Sequence, residues 1–148
     1  LLLALGIPLF LLAQGSQILS QAPAQKLSAK RGATAEAALT FVLGEGYHTN
    51  SHTPSESYLI PLRLTWDKGA LEAVEVTYPE PHLEKYAFSP KPLSVFAGTF
   101  RIVTRFKAPL DAMSGPGLAT GKLRYQACNQ TSCLPPRTIE VKLPVVIQ

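Results

Sequence analysis

Three features of this sequence predict an all-β protein, an immunoglobulin-like two-sheet antiparallel sandwich. Six short segments alternate apolar and polar residues, the pattern of a strand with one buried face. Thirteen prolines and ten glycines punctuate the chain and argue against long helices. The length, 148 residues, suits one hydrophobic core and one domain. Strands of this kind, separated by Gly and Pro turns, close into a sandwich or barrel, and the immunoglobulin-like form is the default at this size. The Cys–Trp–Cys order of antibody domains is absent, because both cysteines follow Trp66 and lie close together.

The chain opens with LLLALGIPLFLLA, and no charged residue occurs before Lys26. Such a run is shorter than the about 20 apolar residues that cross a bilayer, and it fits the apolar region of a secretory signal over residues 1–15. The small residues Ala13 and Gly15 predict cleavage near Gly15. Neither Met nor a basic stretch precedes the run, so the true start is expected upstream. No cysteine stands near Gly15, so no lipid anchor is expected. The alternative is an apolar helix buried in the fold. Export would place the cysteines where disulfides persist. Residues 16–33, rich in Gln, Ala, Ser and Lys, predict a flexible linker, with the domain proper over 34–148.

The strand signals follow in order. Leu39, Phe41 and Leu43 alternate with small or polar neighbours. Leu62, Leu64 and Trp66 alternate with Arg63 and Thr65. Val74, Val76 and Tyr78 alternate with Glu75 and Thr77. Phe100, Ile102 and Phe106 share one face, while Arg101, Arg105 and Lys107 share the other. Leu123, Tyr125 and Ala127 alternate with Lys122, Arg124 and Gln126, and Ile139, Val141, Leu143 and Val145 with Glu140, Lys142 and Pro144. Two long connections, Gly44 to Ser57 and the proline-rich Pro79 to Pro92, stand out, and loops of this length are often functional.

Charged residues make up 16% and the formal net charge is +4. Lys30-Arg31 is the one adjacent basic pair, and no basic run is interleaved with aromatics, so no nucleic-acid partner is expected. No Ser/His/Asp set, phosphate-binding glycine loop or paired carboxylate motif is visible.

The chemistry-bearing motif is Tyr125-Gln126-Ala127-Cys128-Asn129-Gln130-Thr131-Ser132-Cys133-Leu134-Pro135-Pro136. Four residues separate the cysteines, enough for a turn that brings their Cα atoms within the about 4.4–6.8 Å of a disulfide. The Pro-Pro step stiffens the exit. Two readings stay open. A static staple closing so short a loop stabilises by roughly 2 kcal/mol. A redox-active pair would instead open and close when an incoming thiolate reaches one sulfur in line. Zinc would need two further ligands, and the spacing is not the two-residue spacing of thioredoxin.

YQACNQTSCLPP, with GKLR before it and RTIEVKLPV after it, resembles the amino-terminal periplasmic domain of the DsbD thiol:disulfide interchange family. GYHTNSHTPSESYLIPLRLTW and YPEPHLEKYAFSPKPLSVFAGTFRIVTRFKAP extend the resemblance over about Thr34 to Ile147. It implies an immunoglobulin-like sandwich with a redox-active pair, Cys128 and Cys133, on its final hairpin and no further cofactor. The pair would take electrons from a thioredoxin-like donor domain. It would pass them to periplasmic disulfide isomerases or cytochrome c assembly factors, with a membrane-embedded DsbD-type protein as a further partner. By the same resemblance Cys128 is linked to the partner in the mixed disulfide, Phe96 caps the pair, and Gly98 gives that cap room to move. Better-known members place five residues between the cysteines, a Tyr after the cap Phe and acidic residues before it. Here the spacing is four, and Ala97, Ser94 and Val95 hold those places. The chain lacks a transmembrane conduit and a thioredoxin-like domain, so a stand-alone relative or a piece of a longer protein is expected.

Among the remaining residues, His48 and His52 are four apart but sit in a loop-like context, so no metal is expected there. Tyr47 is a candidate flank of the cysteine hairpin. Tyr125 is expected in the core or beside the sulfurs, Trp66 in the core, and Arg137 in solvent, where a nearer position would lower a thiol pKa.

Overall fold

The computed structural model describes residues 17–148, and among them it is all-β with no helix. The signal expected over residues 1–15 lies outside the described residues. In chain order the strands are β1 (Leu19–Gln21), β2 (Leu27–Ala29), β3 (Thr34–Leu43), β4 (His48–Asn50), β5 (Arg63–Trp66) and β6 (Glu72–Thr77). Then follow β7 (His82–Glu84), β8 (Leu93–Ala97), β9 (Thr99–Lys107), β10 (Gly115–Tyr125), β11 (Ala127–Cys128) and β12 (Arg137–Ile147).

Two sheets form the expected sandwich, ordered β1-β3-β9-β6 and β2-β12-β10-β5. All their pairings are antiparallel except that of β2 with β12. Leu39, Phe41, Ile102 and Phe106 of the first sheet meet Leu64, Leu123, Val141 and Leu143 of the second in one buried cluster. The alternation read from the sequence sets this face, because successive side chains of a strand point to opposite sides. Arg101, Arg105 and Lys107 accordingly face water. Trp66 is half-buried at the core margin, edge-on to Phe106 at 5.0 Å, with its Nε1 donating to Thr104 Oγ1 at 3.0 Å.

Three expectations need correction. The segment predicted as a linker, 16–33, contributes two strands, one to each sheet. Leu19 pairs with Leu43 and is fully buried, and Leu27 pairs with Val145. Gln21 joins the two sheets: its Nε2 donates to Lys142 O (2.7 Å) and its Oε1 accepts from Lys142 N (3.0 Å). Buried leucines and an amide clamp order a stretch whose composition alone reads as linker.

Secondly, a bulge between Ala73 and Glu75 shifts the register of the edge strand β6 and leaves Val74 exposed instead of inward.

The third correction is a small third sheet, β11-β4-β8-β7, which a two-sheet reading did not foresee. It draws β4 and β7 from the two segments read as long connections. It is continuous with the sandwich, since β8 passes into β9 through Gly98 and β10 into β11 through Gln126. Gly98 has φ 64°, a left-handed conformation that glycine adopts without penalty, and its carbonyl accepts from Leu43 N at 2.9 Å.

Candidate redox site

The cysteines sit where β10 runs past the sandwich and turns back into β12. Cys128 closes β11, and an isolated bridge joins it to Cys133. Asn129 N donates to Ser132 O, and Leu134 N to Ala127 O, each at 2.8 Å. The side-chain oxygen of Asn129 accepts from Thr131 N (2.9 Å) and Ser132 N (2.8 Å), a local turn that Asn favours. The sequence between the cysteines thus folds back on itself. A disulfide joins the two sulfurs, and the Cα atoms lie 3.9 Å apart, closer than the span expected from the sequence because the residues face each other across the hairpin.

The two ends differ in access. Cys128 is 0% exposed, whereas Cys133 is an exposed residue. Cys133 is thus the more accessible of the two, whereas the resemblance gives Cys128 as the residue linked to the partner.

Ladder register sets what surrounds Cys128. It pairs with His48, which pairs in turn with Ala97. Ala127 pairs with Thr49, which pairs with Phe96. Directly opposed residues share a face of the sheet. Cys128, His48 and Ala97 therefore lie on one face, and Ala127, Thr49 and Phe96 on the other.

On the cysteine face the His48 ring stacks on Tyr86 at 3.9 Å, and Tyr86 on Phe88 at 5.6 Å. Tyr86 packs with Leu93 and Val95 in a second, smaller apolar cluster. Burial lowers the His48 pKa to about 4. It also lowers that of His52, against an opposing pull from Glu80, and raises that of Tyr86, with Glu84 adding to the effect.

Gln126 ties the hairpin down. Its Oε1 accepts from Asn50 Nδ2 (3.2 Å) and Ile60 N (3.5 Å), and its Nε2 donates to Leu134 O at 3.4 Å. Ser51 and Ser94 share a buried hydroxyl hydrogen bond of 2.7 Å. Among the described residues four buried side-chain polar atoms have no partner, and all belong to this segment: His48 Nε2, Thr49 Oγ1, Asn50 Oδ1 and His52 Nδ1.

Residues 15–144 match the family model of the "Thiol:disulfide interchange protein DsbD, N-terminal". The chain belongs to the DsbD N-terminal family. Thiol–disulfide interchange is the chemistry that membership indicates, and a cysteine pair at disulfide distance fits it. The fold is similar to that of the N-terminal periplasmic domain of ScsB from Proteus mirabilis, with a TM-score of 0.54 and 14% identity. That alignment covers 78% of this chain and 42% of the other, so the chain spans less than half the length of that structure. A cohesin module of a family 33 glycoside hydrolase from Clostridium perfringens overlaps more loosely, with TM-score 0.46, 9% identity and coverage of 88% of this chain and 98% of that one. No curated protein matches the chain.

For this DsbD-family domain, the remaining expected site residues fall in two groups. Phe96 is 2% exposed and stacks on Phe100 at 5.2 Å and on His52 at 5.9 Å. It plugs the junction between third sheet and sandwich, on the sheet face opposite Cys128, rather than lying over the disulfide. Gly98 follows it as the pivot between β8 and β9. Tyr125 is buried in the main core, and Tyr47 packs partly buried against the same core. Arg137 is exposed at the start of β12. The structure brings to the cysteines instead His48, which the sequence placed in a loop, and Gln126, which it read only as an outward polar position. Tyr86 lies behind His48. No local pattern marks them, because strand pairing rather than hydrophobicity buries His48 and Asn50. No helix among the described residues is long and apolar enough to cross a membrane.

Proposed function

We propose that this chain is an exported thiol–disulfide relay module, working in the periplasm, that carries electrons from a thioredoxin-like donor to other exported proteins. Disulfide isomerases and cytochrome c assembly factors are the targets that the family suggests, and a membrane-embedded DsbD-type protein is the source that would recharge the donor. The observation that carries the reading is the asymmetry of the pair: Cys133 exposed at a hairpin tip, Cys128 fully buried behind it.

Exchange requires attack on one sulfur and departure of the other. A donor thiolate attacks Cys133 Sγ, a bond forms between donor sulfur and Cys133, and the Cys128–Cys133 bond breaks with its electron pair on Cys128. The donor's second thiol then displaces Cys133, leaving an oxidised donor and a reduced module. Delivery runs these steps in reverse on a target disulfide. The cysteine pair itself carries the two electrons in its dithiol form, so the reading calls for no cofactor.

Redox titration of the protein against glutathione tests this, together with mass spectrometry of the Cys128→Ser variant after exposure to a thioredoxin-like protein carrying its own disulfide. A relay gives a potential near those of its partners and a mixed disulfide at Cys133. A potential below about −300 mV with no trapped adduct marks a structural staple and overturns the reading.

A further inference from the structure

Breaking the disulfide leaves a negative sulfur on a fully buried residue. A buried charge without a partner is strongly disfavoured. We propose that His48 is the proton partner of Cys128: its Nε2 takes up the proton that arrives with the reducing dithiol and shares it with the Cys128 sulfur as that sulfur leaves, and it accepts the thiol proton as that sulfur attacks. The proposal rests on the relay reading above.

Four observations place His48 in that role. It is the residue directly opposite Cys128 in the β4–β11 ladder, on the same sheet face, where Cβ atoms lie about 4.5–5.5 Å apart. It is itself 3% exposed. Its Nε2 is buried and makes no hydrogen bond while the disulfide is closed. Its ring is held in place by the stack on Tyr86. From β8 it faces Ala97, from the segment after β7 the Tyr86 ring, and farther along that face lie His82 and Glu84 on β7. Lys85 is engaged elsewhere, donating from Nζ to Ser89 O.

The protons and electrons balance. Reduction by a dithiol moves two electrons to the pair and two protons with them. One proton goes to Cys133, which meets solvent. The other is shared between Cys128 Sγ and His48 Nε2, as thiol with imidazole or as thiolate with imidazolium. Burial keeps the ring neutral in the disulfide form, and a thiolate formed beside it raises its affinity for a proton. Proton uptake is thereby coupled to electron uptake at the inner sulfur alone.

The test reacts the reduced protein with an aromatic disulfide that releases a coloured thiolate. Cys133 attacks first and releases one equivalent, and Cys128 then resolves the adduct and releases the second. His48→Phe keeps an aromatic ring on Tyr86 and removes the nitrogens. The expected result is an unchanged first phase and a second phase slowed about a hundredfold at neutral pH, recovering as the solution becomes alkaline. Equal second phases in variant and wild type across the pH range overturn the proposal and leave the relay intact. A wild-type disulfide that no dithiol opens in the folded protein overturns the relay instead. A proton NMR titration of the His48 ring needs no variant: its pKa must be higher in the dithiol form than in the disulfide form, and equal values refute the coupling.

Discussion

In the sandwich the buried positions are mainly Leu, Ile, Val and Phe at every second residue; in the third sheet the inner strand β4 buries His48, Thr49 and Asn50 in succession. The sandwich draws stability from apolar area removed from water. The third sheet gives some of that up. Each unpartnered polar atom it buries costs about 1–3 kcal/mol, and all four such atoms found among the described residues lie within His48–His52. Rule-breaking of this kind concentrates where a protein does chemistry. Its contrast with the sandwich suggests a division of labour: one region sets whether the chain folds, the other whether its sulfurs react. Each perturbation below should strike one region and spare the other.

The largest effect is expected from Cys133→Ser. Losing the exposed sulfur abolishes exchange with any dithiol, measured as mixed-disulfide formation, because buried Cys128 offers no point of attack. The cost to folding is only the about 2 kcal/mol that so short a cross-link supplies. Phe41→Ala reverses the pattern. Phe41 is 0% exposed and packs on Phe100 at 5.8 Å in the sandwich centre. Truncation should cost about 3–5 kcal/mol by denaturant titration, while the exchange rate of the molecules that remain folded stays as in the wild type.

Acid separates the regions next. The folded state holds the His48 pKa at about 4 against an ordinary 6.5. Between those values the unfolded chain binds the proton and the folded chain does not, so stability rises with pH across this window. It is fully present above about 6.5 and falls as pH drops towards 4, by on the order of 3 kcal/mol. His52, also lowered, acts in the same direction. Chemical denaturation at a series of pH values should show this slope in wild type and in Phe41→Ala. The slope should be much reduced in His48→Phe. An unchanged slope in that variant would mean that the third sheet does not hold its histidine neutral.

The same contrast explains what the sequence made legible. The sandwich was readable because period-two alternation is itself the cause of its packing: Phe100, Ile102 and Phe106 face inward for the reason that they alternate with Arg101 and Arg105. The hairpin was readable too, since two cysteines with four residues between them before a double proline leave few arrangements. The setting of the hairpin was not. GYHTNS carries no apolar periodicity, and its burial comes from partners remote in sequence, Ala127 and Cys128 on one side and Val95 to Ala97 on the other. Phe96 was misplaced for a related reason. The family resemblance implied a cap, but its row in the ladder decides which face it occupies, and that row is visible only once the strands are paired. Residues 16–33 were lost to composition, as two leucines and Gln21 outweigh the polar residues around them.

The smallest effect tests whether the two regions are coupled. Gln126 stands at the single residue between β10 and β11, where sandwich becomes redox sheet. Its side chain reaches Asn50, Ile60 and Leu134 at once. Gln126→Ala removes these bonds and leaves the Asn50 amide only its contact with Ile60 O at 3.0 Å. The expected cost is about 1–3 kcal/mol, set by the polar groups left buried rather than by the bonds themselves. Hydrogen exchange should show where that cost falls. If the division holds, amides of β4 and β11 lose protection while those of β3, β9, β10 and β12 keep theirs, because the sandwich ladder ends at Tyr125–Arg137 and does not depend on the hairpin beyond it. Cys128 would then open more readily to reductants in the variant, since it is the pairing with β4 that keeps it from water. Uniform loss of protection across all these strands would instead make the redox sheet part of the folding core, and the division between a stable scaffold and a reactive annex would fail.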